Sequence, residues 1–232
     1  MSIFFDELAY RDTPISVVRL RRRRELRLDL DMLEIKLGDE FLMSSLFTAS
    51  EVALARLGIA ALTGTGREIV VGGLGVGYTA NAALEDPAVS SLLVVEMLDA
   101  VIEWHCAGLL PLGAGLVAAA RCHFLHGDFF ALAATAEGFD AQAPGRRFDA
   151  ILVDIDHSPV ALIEAHSTAF YQRAGLRQLA THLKPGGVFG LWSEDAPDAA
   201  FTARLSAVFA QAWAEPLTFH NPLQDRPFTQ TV

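Results

Sequence analysis

Hydrophobic and polar positions follow two different patterns along this chain. Residues 13–20 and 25–37 alternate locally with period two, as in Leu26-Arg27-Leu28-Asp29-Leu30-Asp31. One polar face per segment predicts antiparallel strands. From residue 50 onward the pattern changes. Short apolar runs at 68–72, 91–96, 121–126, 148–154 and 188–192 alternate with longer segments that suit helices. Such alternation predicts a parallel sheet with helices packed over it. The predicted helices cover 50–62 (with Ser50 a candidate N-cap), 78–84, 99–110, 167–183 and 198–212. Two further strands are expected at 216–220 and 228–232, making seven. The expected fold is α/β: a doubly wound, mostly parallel, seven-stranded Rossmann-like sheet over residues 39–232. A small N-terminal β hairpin or sheet over residues 1–38 is expected to accompany it.

The most informative stretch is residues 69–78. A β-branched apolar run enters it, Gly73, Gly75 and Gly77 space its centre as G-x-G-x-G, and a helix-compatible run leaves it. Glycine tolerates positive φ and lets other groups approach the backbone closely. The next predicted strand ends in Glu96, followed by Met97, about 20 residues past the glycines, where an acid commonly grips ribose hydroxyls. Ligands of open α/β sheets bind beyond the C-terminal strand ends. Gly73, Glu96, Asp128 and Asp154 all fall at such ends.

Composition narrows the function. The 232 residues are 52% hydrophobic and 20% charged, which provides for a substantial core. A net charge of −10 disfavours nucleic-acid binding and suits an enzyme with a cationic substrate. Arg21 to Arg24 therefore read as a solvated hairpin turn or polar edge rather than an anion patch. Asp6 and Glu7 stand where a secretory signal would be basic and then apolar, so a cytoplasmic protein with Cys106 and Cys122 as free thiols is expected. The longest uncharged run, residues 105–120, is broken by Pro111, Gly113 and Gly115 and falls short of the ~20 residues of a membrane span. His123 and His126 point to opposite faces of a strand, so no metal site is expected.

The reactive cluster is Asp154, Asp156 and His157 at the end of a predicted strand. Asp154 is the candidate proton acceptor, and His157 could supply a second base. Trp192 and Ser193 could line the substrate pocket, and Phe129 and Phe130 could stack on a base or pack inside.

Several motifs carry a resemblance. Val70-Val71-Gly72-Gly73, Val95-Glu96, Gly127-Asp128-Phe129, the strand from Phe148 to Asp154 and the Leu183-Lys184-Pro185-Gly186-Gly187 turn are similar to the class I AdoMet-dependent methyltransferase fold. Within that fold, and with Asp39-Glu40-Phe41-Leu42 added, the chain resembles the spermidine synthase family. The resemblance implies an adenosine-containing sulfonium donor, AdoMet or decarboxylated AdoMet. It implies that Glu96 holds the ribose and Asp128 and Phe129 lie on the adenine side, with Asp154 catalytic. Six positions depart from the family pattern. Gly75 stands where the glycine loop carries an acid for the aminopropyl amine, His157 replaces a second acid, and Glu34 replaces a glutamine lining the donor site. Met43, Ser44 and Ser45 replace its aromatic and polar residues. The missing loop acid predicts AdoMet-dependent methyl transfer to a small cationic or amine substrate. The alternatives are aminopropyl transfer from decarboxylated AdoMet, with Glu34 supplying the missing acid, and an inactive nucleoside-binding protein. A homodimer is expected, with neither nucleic acid nor membrane as partner.

Overall fold

The computed structural model describes residues 5–232; the first four residues of the expected N-terminal β piece lie outside it. Strands β1 (Phe5–Asp12), β2 (Val17–Glu25), β3 (Leu30–Leu37) and β4 (Glu40–Ser44) form an antiparallel sheet in that order. The arginine run does not sit at a turn. It lies inside β2, and the reversal comes at residues 26–29, where Asp29 takes a φ of 53°. Acids on the flanking strands explain this: Asp6 stands opposite Arg22, Glu34 opposite Arg21 and Asp31 opposite Arg24. Opposite charges across a strand pair stabilise the register.

Helix α1 (Ala49–Ala60) leads into the main sheet. There follow β5 (Arg67–Gly72), α2 (Tyr78–Leu84), β6 (Val89–Glu96), α3 (Asp99–Cys106), α4 (Gly113–Ala118), β7 (Cys122–His126), α5 (Phe129–Ala134) and β8 (Phe148–Val153). A 3₁₀ turn (Ala165–Ala169), α6 (Arg173–Ala180), β9 (Leu183–Leu191), α7 (Ala199–Ser206), β10 (Pro216–Asn221) and β11 (Arg226–Thr231) complete the chain. The expected helix at 167–183 is split because Gly175 packs against the backbone of Ala169 and Phe170, where any side chain would collide. Ser50 is not the cap of α1. Thr48 holds that position, and Ser50 is buried inside the helix.

The parallel sheet has five strands, in the order β7-β6-β5-β8-β9, not seven. β10 and β11 pair with each other as a separate antiparallel hairpin, joined to the end of β9 by a single bridge between Ser193 and Thr231. Burial patterns give the reason. Ile69, Val70, Val71, Leu152 and Val153 are fully buried, as strands covered on both faces must be. β10 instead alternates exposed and partly covered positions. It needs only one covered face, and Phe47 stacks on Phe219 there at 5.8 Å. The N-terminal sheet shares the main core, since Val18, Leu20, Ile35 and Leu37 join the cluster that contains Leu54, Ile69 and Leu152. No helix among the described residues is long and apolar enough to cross a membrane.

Candidate active site

The strand order reverses between β5 and β8, and there the chain opens a cavity of about 880 Å³. That lies within the ~300–1,000 Å³ usual for small-molecule sites. The floor comes from the C-terminal ends of the parallel strands, the roof from β3 and β4, and one wall from the C-terminal hairpin through Phe228 and Gln230. Ten carboxylates line it: Glu34, Asp39, Glu40, Glu51, Glu96, Asp128, Asp154, Asp156, Glu164 and Glu194. Arg23 is the one arginine among the described lining residues, and it is already held by Glu34 at 2.7 Å and Glu25 at 3.0 Å. The cavity therefore presents unbalanced negative charge to whatever enters.

Gly73, Gly75 and Gly77 all adopt positive φ. The space beside each is filled by protein. A Cβ on Gly73 would strike the Asp154 carbonyl, one on Gly75 the Met43 sulfur, and one on Gly77 the Leu116 and His105 side chains. The loop is thus fixed by its neighbours on three sides. Met43 also accepts the Val76 N–H at 2.9 Å through its sulfur. From behind, fully buried His105 holds the Gly75 carbonyl through Nε2 at 2.9 Å. Burial lowers the His105 pKa, which keeps the ring neutral.

Glu96 is 8% exposed, and its two oxygens accept from the Leu74 and Leu98 N–H groups at 2.9 and 2.8 Å. Burial raises its pKa, and these backbone bonds oppose the shift. Each oxygen keeps a lone pair for a hydroxyl. Met97 follows on the cavity wall, with its carbonyl bonded to His126 at 3.0 Å. Asp128 caps α5 with Oδ1, while its Oδ2 accepts from His166 Nε2 at 3.1 Å. The Phe129 ring, at 2% exposure, is core: it covers Gly72 and stacks on Phe139, so it offers no face for a base. Phe130 packs against Phe170, and its ring is only partly buried at the cavity edge.

Asp154 accepts from Thr79 Oγ1 at 2.6 Å. Its partner is a residue that sequence reasoning missed, Glu51, in the first turn of α1 and 6% exposed. Burial raises the Asp154 pKa to about 6. Burial, with the Asp154 charge adding to it, raises Glu51 to about 8. Trp192 Nε1–H donates to Ser50 Oγ at 2.8 Å, and the Ser50 hydroxyl is within reach of two acceptors, Gln230 Oε1 at 2.6 Å and Glu51 Oε2 at 2.9 Å. In the sequence Glu51 looks like an ordinary helix first-turn acid, favourable to the dipole, and nothing local sets it apart.

The other predicted residues separate. Asp156 is buried and accepts from Ile163 N–H at 2.7 Å and Tyr171 O–H at 2.8 Å, which ties down the segment after β8. His157 sits at the cavity rim between Glu40, 3.0 Å from Nε2, and Glu194, 3.6 Å from Nδ1. Glu34 lines the cavity but is engaged by Arg23. The Trp192 side chain belongs to the Ser50 network, and Ser193 to the bridge with Thr231.

Comparison with solved structures puts this geometry in context. A spermidine synthase from Thermotoga maritima superposes with a TM-score of 0.68, over 97% of this chain and 71% of that one, at 16% identity. A spermidine synthase in complex with the transition-state analogue AdoDATO superposes with a TM-score of 0.69, over 97% of this chain and 72% of that one, also at 16% identity. The fold is that of the spermidine synthases. The shared spermidine synthase fold extends over nearly all of this chain, so the N-terminal sheet and the C-terminal hairpin fall within it together with the parallel sheet. No protein-family model matches the chain, and no curated protein does.

Proposed function

We propose that this cavity transfers an alkyl group from an adenosyl sulfonium donor to an amine, and that the group is the aminopropyl chain of decarboxylated AdoMet. The observation that carries the reading is the acidic cavity under the N-terminal sheet, with Asp154 deep within it beside the glycine loop. Ten carboxylates suit a cationic donor and a cationic acceptor together. The spermidine synthase that was crystallised with AdoDATO has the same fold, which adds support for this donor class. Methyl transfer, expected from the missing loop acid, has less support because Glu51 supplies the cavity with an acid that the loop motif does not reveal.

In this reading Glu96 takes the ribose hydroxyls and Asp128 the adenine side, beside Phe130. Asp154 is the base. A carboxylate raised to about 6 takes a proton from an ammonium more readily than an ordinary aspartate does. The acceptor ammonium loses one proton to Asp154. Its nitrogen then forms a C–N bond to the propyl carbon while the C–S bond breaks. Sulfur keeps that electron pair and leaves as neutral methylthioadenosine. Thr79 holds the Asp154 oxygen in place throughout.

The test is direct. The protein is incubated with a panel of diamines and either decarboxylated AdoMet or AdoMet, and products are read by mass spectrometry. Aminopropylated amine plus methylthioadenosine is expected, and Asp154→Asn should lower its rate about 10²- to 10⁴-fold. Methylated amine from AdoMet, with no product from the decarboxylated donor, would restore methyl transfer.

A further inference from the structure

We propose that Glu51, on α1, receives the terminal ammonium of the sulfonium donor, in place of an acid on the glycine loop. The inference rests on the aminopropyl reading above and concerns the same cavity. Two independent features meet in it. First, the position beside Gly75 is occupied: the Met43 sulfur fills the space that a side chain at 75 would need and accepts the Val76 N–H. An ammonium directed there would meet a thioether and no charge. Second, Glu51 is 94% removed from solvent, yet it lines the same cavity as Gly75, Met43 and Asp154. Its Oε2 touches Ser50, and its Oε1 has no hydrogen bond to another described residue.

Two buried carboxyls, with one hydroxyl bonded to each, cannot favourably ionise together unless a cation joins them. Among the described lining residues the only arginine is committed to Glu34 and Glu25. The missing positive charge is then the ligand's. A glutamine at 51 would bond Ser50 equally well without repelling Asp154, so a purely structural role leaves the choice of an ionisable acid unexplained. The titratable groups facing Glu51 are Asp154, at the end of β8, and Tyr78, whose own pKa is raised by burial and by the Glu51 charge. Arrival of an ammonium should expel the proton that burial keeps on Glu51.

Calorimetric titration with decarboxylated AdoMet and with methylthioadenosine, which lacks the aminopropyl tail, tests this. Glu51→Gln should weaken the decarboxylated donor roughly 10- to 100-fold and change methylthioadenosine affinity less than about threefold. Titration at pH 7 in two buffers of different ionisation enthalpy should show proton release on binding the donor but not methylthioadenosine, and Glu51→Gln should abolish it. Adding Met43→Ala and Gly75→Asp to Glu51→Gln clears the sulfur, returns an acid to the loop and should recover donor affinity. This separates loss of charge from damage to the fold. Equal losses for both ligands, or no loss for either, would overturn the assignment while leaving the nucleoside site standing. A wild-type protein that binds neither ligand would remove the aminopropyl reading itself, and the assignment with it.

Discussion

At the scale of single residues, the cavity is a problem of unmatched charge. Glu96 accepts two backbone N–H bonds that oppose the effect of its burial, whereas Glu51 and Asp154 have one hydroxyl each and stand against one another. The first arrangement suits an acid that receives hydroxyls. The second suits a pair that holds a proton until a cation arrives. Glu96→Ala should weaken binding of adenosine-containing ligands by about 1–3 kcal/mol, because hydrogen bonds to a charged group are lost. Unchanged calorimetric affinity for all of them would remove Glu96 from the site. Asp156 shows why residue type alone misleads. It is the same residue type as Asp154 and only two positions away, but Tyr171 and Ile163 use both of its oxygens.

At the scale of elements, the glycine loop is held by parts that are remote in the chain. Met43 from β4 presses on Gly75, Asp154 from the end of β8 on Gly73, and His105 from α3 on Gly77. Gly75→Ala should therefore destabilise the protein, by about 1–3 kcal/mol, through the contact with Met43 and a backbone φ of 48°. Met43→Ala in the same chain should recover the steric part of that loss and leave the backbone part. Urea unfolding of the two single variants and the double variant separates the two contributions. Additive losses would show that Met43 and Gly75 do not press on one another.

At the scale of the whole molecule, the buried acids make stability depend on pH. Glu51 moves from 4.5 to about 8 and Asp154 from 3.8 to about 6, so between pH 5 and 8 the folded chain binds more protons than the unfolded one. Stability must then fall as pH rises through that window. Glu68, Asp140 and Asp149, whose pKa values are lowered, act in the opposite sense: their contribution is lost only as pH falls into the acid range. Without ligand, unfolding free energy should drop on the order of 4–5 kcal/mol from pH 5 to pH 8, and Glu51→Gln should flatten most of the slope. Urea titrations at three pH values check this, and a slope unchanged in Glu51→Gln would place the protons elsewhere. Much of this molecule was legible in the sequence alone. Continuous apolar runs require burial on both faces, which identified the strands of the parallel sheet. Glycines at G-x-G-x-G and acids at strand ends marked the end of the sheet where the cavity opens. Chain order also brought Gly73, Glu96, Asp128 and Asp154 to one edge, because parallel strands present their C-terminal ends together. Only tertiary structure decided the rest. The final two strands form a hairpin because their one apolar face found Phe47. Arg22, Arg23 and Arg24 run inside a strand because the acids that pair with them, Asp6, Glu34 and Asp31, lie on its neighbours. Glu51 faces Asp154 across 103 positions of sequence because α1 packs beside the end of β8. Local pattern reports what a residue's own element requires, whereas the pairing of two acids in one cavity depends on how separate elements pack.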